Sequence, residues 1–430
     1  MTAMAEPVDI LSDLEARGLV HDVTDRAALA DRLASGPVTV YYGCDPTAPS
    51  LHVGNLIGLL VLRRLAAAGH RPVALAGGAT GMVGDPSGRS EERNLLDAAT
   101  LDRNLAAIAD QMRQVLADPT IEVVDNRTWT EPMSVIDFLR DVGKHATVNQ
   151  MLARESVKAR LASEHGISFT EFSYMLLQAN DYLWLHDHRD CELQIGGSDQ
   201  WGNILGGVDL IRRTRGHAVH ALSWPLLTAP DGTKLGKTTG ARVWLDPART
   251  SPYQFHQYWM QTDDRQVEQF LLQFTLLTVD EAREVAAAHA AEPRRRQGQR
   301  RLAREATELV HGPGAARTAE EVADVLFGRP LDQVGLDTLE ALAREIPTVR
   351  LDGDGLRPAM ELDELLATSG LVASRSEGRR TLAQGGVYVN NVAAAPGASV
   401  GPDDLLHGRF VLLRKGKRTY ALVDAAPTST

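Results

Sequence analysis

Short apolar runs alternate with longer amphipathic stretches through the first half of the chain. Residues 1–35 carry the spacing of one or two amphipathic helices. VTVYY at 38–42 is β-branched and aromatic and predicts a strand, with the turn cluster GCDPTAPS behind it. A helical pattern then runs from Leu51 to about Ala68 and is closed by Gly69. PVALAGG at 72–78 predicts a second strand, followed by a loop rich in Gly, Asp and Pro. The same order of strand, loop and helix continues through CELQIGGSDQWGN at 191–203.

Strands that alternate with helices pair in parallel, so the pattern predicts a Rossmann-like, doubly wound α/β sheet. Ligands of such sheets sit beyond the C-terminal ends of the strands. From about Asp246 to Ile346 the pattern becomes mainly helical, and IPTVRLDGDGLRP at 346–358 has the residues of a linker. Beyond it, ELDELLATSGL and SEGRRTLAQGG read as helices, and VYVNN, RFVLLRKG and RTYALV read as strands. The expected organisation is therefore an α/β domain at 1–245, a helical domain at 246–346, a linker at 347–357 and a small α+β module at 358–424.

A length of 430 residues suits two or three domains, and a 43% hydrophobic content gives each an ordinary core. A net charge of −11 argues against sequence-blind attraction to nucleic acid, but leaves room for local basic patches. Cys44 and Cys191 show neither metal-ligand spacing nor a disulfide framework. The N-terminus lacks a basic segment followed by an apolar one, and the apolar run LIGLLVL at 56–62 ends at Arg63 and Arg64, too short to span a bilayer. A cytoplasmic protein with no membrane partner is expected.

Two segments have the chemistry of phosphate handling. SLHVGN at 50–55 brings a loop into a helix, where Ser50 can cap, unpaired N–H groups attract anions and His52 can donate. Gly54 leaves room for a planar base against the backbone. DGTKLGKTTG at 231–240 places two lysines three apart among glycines, a mobile loop able to neutralise a leaving phosphate. Taken alone, the first segment reads better as an amphipathic helix with a surface His, and the second as a basic hairpin; paired, some 180 residues apart, they read as phosphate sites. Between them lie GGATGMVGDPSG at 77–88, SYMLLQANDYL at 173–183 and QIGGSDQWGN at 194–203. Tyr174, Gln178 and Asp181 follow helical spacing on one face. Each of these polar groups is also compatible with a cap, a turn or ordinary core.

The block YYGCDPTAPSLHVGN, together with Lys234-Leu-Gly-Lys237-Thr238, resembles the two signatures of class I aminoacyl-tRNA synthetases, most closely the tyrosyl-tRNA synthetases. Asn55 stands where many members carry a second His. The resemblance implies that Tyr41 and Asp181 bind the phenol of tyrosine, and that Asp85, Tyr174 and Gln178 hold its ammonium. It implies that Gln194 and Gln200 line the carboxylate and ribose side, and that Asp199 binds the ATP ribose. Gly43, Asp45, Thr47, Gly54, Asn55 and Gly197 complete the ATP site, while His52, Lys234, Lys237 and Thr238 stabilise phosphates. ATP is then a substrate that arrives with Mg2+, no cofactor or metal is tightly bound, and the protein is a homodimer joined near Trp129–His145.

The C-terminal stretch LDELLATSGLVASRSEGRRTLAQGGVYVNN resembles the small RNA-binding module of the S-four type, which implies that Arg375, Arg379 and Arg380 face tRNA phosphates. RKGKR at 414–418 and PRRRQGQRR at 293–301 are further basic stretches, each equally a solvated face. Competing expectations are a tryptophanyl-tRNA synthetase, a non-catalytic RNA-binding protein on the same scaffold, and a nucleotidyltransferase of the same superfamily. The Tyr41 and Asp181 pair suits a phenol better than an indole N–H.

Overall fold

The computed structural model describes residues 9–87, 96–162, 166–226, 228, 237–238, 241–331, 333–351 and 356–425. It forms two compact units, one running to Ser251 and including Tyr258–Val310, the other made of Pro252–Gln257 and the chain from His311 onward.

The first unit is built on six strands, β1 (Asp22–Val23), β2 (Thr39–Cys44), β3 (Arg71–Ala76), β4 (Glu122–Asp125), β5 (Cys191–Gly197) and β6 (His220–Trp224). Their order is β1-β6-β5-β2-β3-β4. Strands β2 to β6 run parallel, and β2, β3, β5 and β6 are nearly continuously buried, as parallel strands covered on both faces are, while the edge strand β4 is only partly buried. The register sets Tyr41 of β2 beside Val73 on one side and Gln194 on the other. One edge departs from the expected parallel sheet, because β1 runs antiparallel to β6. Two residues are too few to show alternation, and the pairing is held by His21 N–H donating to the carbonyl of Ser223 at 2.6 Å.

The helix Val53–Ala67 follows β2 and packs so close to the sheet that a Cβ on Gly58 would lie 2.3 Å from the ring of Tyr42. Its apolar run carries Arg64 inward, where the buried guanidinium donates to the carbonyls of Leu272 and Thr275 at the end of the helix Val267–Phe274. A cation there matches the negative end of the helix dipole. Two further strands, β7 (Lys237–Thr238) and β8 (Ala241–Arg242), form an antiparallel ribbon.

In the second unit, β9 (Thr348–Arg350), β11 (Val387–Val389), β12 (Val392–Ala393), β14 (Phe410–Lys415) and β15 (Thr419–Asp424) make a five-stranded sheet, and β10 (Met360–Glu361) pairs with β13 (Ser399–Val400). The helices Leu362–Thr368 and Arg375–Ala383 close over its apolar face with Leu365, Leu366 and Leu382. They approach so closely at Gly378 that a Cβ would stand 3.0 Å from the carbonyl oxygen of Asp363.

Two organisational expectations change. Residues 348–350, expected in a linker, form the edge strand parallel to β15, because Thr348, Val349 and Arg350 pair with Leu422, Val423 and Asp424. The helical stretch 246–346 does not stand alone, since the structure divides it between the two units at Val310 and His311. Its helices have apolar faces that complete neighbouring cores, as Val322, Val325, Leu339 and Leu342 do for Phe410 and Leu412.

Candidate active site

A cavity of about 530 Å³ opens beyond the C-terminal ends of β2 and β5. The helix Phe169–Arg189, capped by Ser168, delivers Tyr174, Gln178 and Asp181 to it from one face, as their spacing predicts. Strand β2 delivers Tyr41 and Gly43, and β5 delivers Gln194 and Gly197. Asp45, Thr47, His52, Gly54, Asn55, Asp85, Asp199 and Gln200 complete that part of the lining expected from the sequence. Lys234 lies outside the described residues. Of Lys237 and Thr238 the structure describes the backbone, which places them on β7.

Asp181 is almost fully buried at the deep end. Its oxygens accept from Trp129 Nε1 at 2.8 Å and Asn126 Nδ2 at 3.0 Å. Burial pushes its pKa up to about 7, and those two donors oppose the rise. Tyr41 is buried beside it, and burial together with the Asp181 charge holds its phenol well above the usual tyrosine range, so it keeps its proton. Among the described residues its hydroxyl has no partner, and neither do Gln178 Oε1 and Gln194 Oε1. Buried polar atoms are rarely left unpaired, so three around one cavity mark where a polar ligand completes them.

A chain of hydrogen bonds joins this end to the middle of the site. Asn126 Nδ2 donates to Thr80 Oγ1 at 3.1 Å, Thr80 Oγ1 donates to Asp45 Oδ1 at 2.7 Å, and Tyr174 Oη donates to Asp45 Oδ2 at 2.9 Å. Gly77 makes room for it, since a Cβ there would meet both Asp45 and Thr80 within 2.3 Å. Tyr174 spends its proton on Asp45 and is left with lone pairs, which suit an ammonium. Asp85 accepts from Gln200 Nε2 at 2.6 Å and from Ser87 N at 2.9 Å, so these two expected ligand residues also hold each other.

At the outer end the structure corrects the expected helix cap. His52, not Ser50, is the N-cap of Val53–Ala67. Ser50 instead donates to the carbonyl of Leu51 at 2.7 Å and accepts from Asp246 N at 3.1 Å. His52 Nδ1 accepts from Gly54 N at 3.0 Å, and Asn55 Oδ1 accepts from His52 N at 3.1 Å, which closes a capping box. Burial, with the nearby Arg242 charge, lowers the His52 pKa to about 4. The ring is therefore neutral near pH 7 and, with Nδ1 accepting, carries its proton on Nε2 as a hydrogen-bond donor. Gly54 also makes room for His52, because a Cβ there would lie 2.8 Å from the His52 ring.

Sequence reasoning missed Thr80, Asn126, Trp129, Arg242 and Trp244. The signal for two of them is IEVVDNRTW, a β-branched run that ends in polar groups at the C-terminal end of β4. Among the described residues no group of three or more His, Cys, Asp or Glu side chains could hold a metal ion. Among them, too, no helix is long and apolar enough to cross a membrane.

In the second unit the helix Arg375–Ala383 carries the three expected RNA-facing arginines. Two are engaged within the protein, Arg375 with Asp363 at 3.2 Å and Glu364 at 2.7 Å, and Arg379 with Asp363 at 2.7 Å. Arg380 makes no ion pair among the described residues. Lys415 of the RKGKR stretch pairs with Glu377 at 2.8 Å, and Arg414 stacks 3.7 Å from the Tyr388 ring centre.

Residues 33–328 match the family model described as tRNA synthetases class I (W and Y), and residues 338–423 match that of the tyrosine–tRNA ligase SYY-like C-terminal domain. The chain is 50% identical over 420 residues to a tyrosine–tRNA ligase of Opitutus terrae, covering 96% of this chain and 99% of that one. It is 46% identical over 424 residues to that of Roseiflexus castenholzii, with the same coverage of both chains. Among solved structures, a C-terminally truncated mitochondrial tyrosyl-tRNA synthetase of Coccidioides posadasii is similar with a TM-score of 0.65 and 33% identity, covering 73% of this chain and 91% of that one. A tryptophanyl-tRNA synthetase from Encephalitozoon cuniculi is 14% identical with a TM-score of 0.51, over 77% of this chain and 90% of that one, a likeness of fold.

Proposed function

The chain belongs to the class I tyrosine–tRNA ligases, and on that premise we propose how its own residues divide the work of joining tyrosine to tRNA with ATP. The observation that carries the reading is the set of unpartnered buried atoms, Tyr41 Oη, Gln178 Oε1 and Gln194 Oε1, around the Asp181 end of one cavity. In this reading the substrate phenol lies between Tyr41 and Asp181, one donating and the other accepting. Phenylalanine in the same place leaves both groups unpaired, which opposes its binding. Gln178, the lone pairs of Tyr174 and the carboxylate of Asp85 surround the ammonium, with Gln194 and Gln200 towards the carboxylate.

The tyrosine carboxylate then attacks the α-phosphorus of ATP in line, forming tyrosyl-adenylate and expelling pyrophosphate. His52 Nε2–H and the N-terminus of Val53–Ala67 meet the phosphates, joined by Lys234, Lys237 and Thr238, while Asp199 holds the ribose. No side chain has to act as nucleophile, so catalysis is positioning and charge stabilisation. The terminal ribose of tRNA attacks the adenylate in the second step. Magnesium arrives on ATP as part of the substrate.

The residues from 358 to 424 supply RNA contacts through Arg380 and, once their carboxylates are released, through Arg375 and Arg379; the helices of 246–346 serve the anticodon side. A homodimer accounts for the helix Val135–Asp141, which buries none of its residues and leaves Val135, Ile136 and Leu139 at least half exposed on one face. We place the reaction in the cytoplasm, where Cys44 and Cys191, both buried and unpaired, stay reduced.

The test is amino-acid-dependent exchange of pyrophosphate into ATP, without tRNA, with tyrosine, tryptophan and phenylalanine. Exchange with tyrosine alone is expected, and its loss in Tyr41→Phe with Asp181→Asn supports the phenol assignment. Unchanged discrimination in that double variant sinks it.

A further inference from the structure

Among the described residues, Arg242 is a cation lining the His52 end of the cavity that the activation reading above leaves unused. It lies on β8, whose ribbon partner sets Lys237 directly across from it in register. No carboxylate among the described residues pairs with Arg242. Its guanidinium instead lies 5.7 Å from the centre of the Trp244 ring, and both residues line the cavity beside His52.

Arg242 is also anchored. The segment that follows β8 is tied to the residues that start the Val53–Ala67 helix, because Val53 N donates to the carbonyl of Val243 at 3.1 Å and Leu245 N to that of Leu51 at 2.9 Å. The Trp244 and His52 rings pack edge to face with centres 6.3 Å apart. The base of Arg242 is thus held against the same helix N-terminus that presents His52. A planar guanidinium offers two parallel N–H donors to phosphate oxygens, which a lysine does not.

We propose that Arg242 binds the β- and γ-phosphates of ATP and the pyrophosphate they become. A bond forms between the tyrosine carboxylate oxygen and the α-phosphorus. The bond from that phosphorus to the oxygen bridging to the β-phosphate breaks, and the electron pair leaves on pyrophosphate. Arg242 meets the charge that develops on that leaving group.

The proposal rests on the tyrosine-activation reading, which wild-type exchange tests by itself. Arg242 is tested by comparing Arg242→Gln, Arg242→Lys and Arg249→Gln in the full-length protein. Arg249 also lies over Trp244, at 5.0 Å, but does not line the cavity. Arg242→Gln is expected to raise KM for ATP and for pyrophosphate by about tenfold or more, the worth of a hydrogen bond to a charged group. Arg242→Lys should fall between it and wild type, and Arg249→Gln should match wild type. Tyrosine binding without ATP, and transfer to tRNA from preformed adenylate, should be unchanged in all three. KM values for ATP and pyrophosphate within twofold of wild type in Arg242→Gln overturn the proposal. An equal loss of tyrosine binding, or an equal effect of Arg249→Gln, overturns it in favour of a structural role.

Discussion

The indole Nε1–H of Trp129 donates to Asp181 at 2.8 Å, while the same indole stacks on Trp184 with ring centres 4.2 Å apart. The ring is therefore clamped, and the direction of the Asp181 carboxylate is fixed by a residue that does not itself line the cavity. Trp129→Phe keeps a stacking ring and removes the donor. It should lower kcat/KM for tyrosine by about tenfold and narrow the preference over phenylalanine. Steady-state exchange kinetics with both amino acids check this, and an unchanged preference excludes the positioning role.

Asp181 also makes stability depend on pH. Its folded pKa of about 7 lies above the ordinary 3.8, so between those values the native state holds a proton that the unfolded chain has lost. Its contribution to stability therefore falls as pH rises through that window and is constant above it. His52, lowered to about 4 from 6.5, acts in the opposite sense, favouring the fold as pH rises between those values. The difference in unfolding midpoint between wild type and Asp181→Asn isolates the first effect. The variant should gain on wild type from pH 4 to 7, and a flat difference refutes the raised pKa.

His52 caps its helix and, on the proposed reading, donates to phosphate, two roles that substitution can separate. Asn is a good N-cap, so His52→Asn should unfold near the wild-type temperature yet lose the Nε2 donor and most of its adenylate formation. His52→Ala loses the cap as well, about 1 kcal/mol. Calorimetry and single-turnover adenylate formation on both variants show whether the two losses part.

Gly58→Ala tests the packing beneath the site. The added methyl meets the buried Tyr42 ring, so destabilisation of about 1–3 kcal/mol is expected from urea unfolding. A cost near zero means that the Tyr42 ring yields.

The uncovered face of the Val135–Asp141 helix predicts assembly. Ile136→Asp with Leu139→Asp should shift sedimentation from dimer to monomer, and a wild-type monomer at micromolar concentration removes the dimer reading.

Legibility in the sequence followed the range of the interactions involved. Strand β2 was readable from its contiguous β-branched and aromatic run, β3 and β5 from apolar positions that lead into glycine-rich turns, and the single face of Tyr174, Gln178 and Asp181 follows from helical spacing alone. The cap at Val53–Ala67 was misassigned because Ser and His can both start a helix, and Ser50 is drawn away by Asp246 N, distant in sequence. Strand β9 read as linker because its pairing with β15 is supplied from the other end of the module. Asn126 and Trp129 escaped because the run IEVVDNRTW marks only a strand end, while their partner Asp181, more than fifty residues on, is brought close by the fold.

The hydrogen-bond chain through Tyr174, Asp45, Thr80, Asn126 and Asp181 runs beneath the places proposed for the two substrates. On the proposed reading, a rearrangement that tyrosine imposes on Asp181 has a hydrogen-bonded route to Asp45, which lines the same cavity. Linkage then requires reciprocity: if bound tyrosine alters the affinity for ATP by some factor, bound ATP alters the affinity for tyrosine by the same factor. On that reading Asn126, which bridges Asp181 and Thr80 without lining the cavity, is the place where such a coupling would be altered with both binding surfaces left intact.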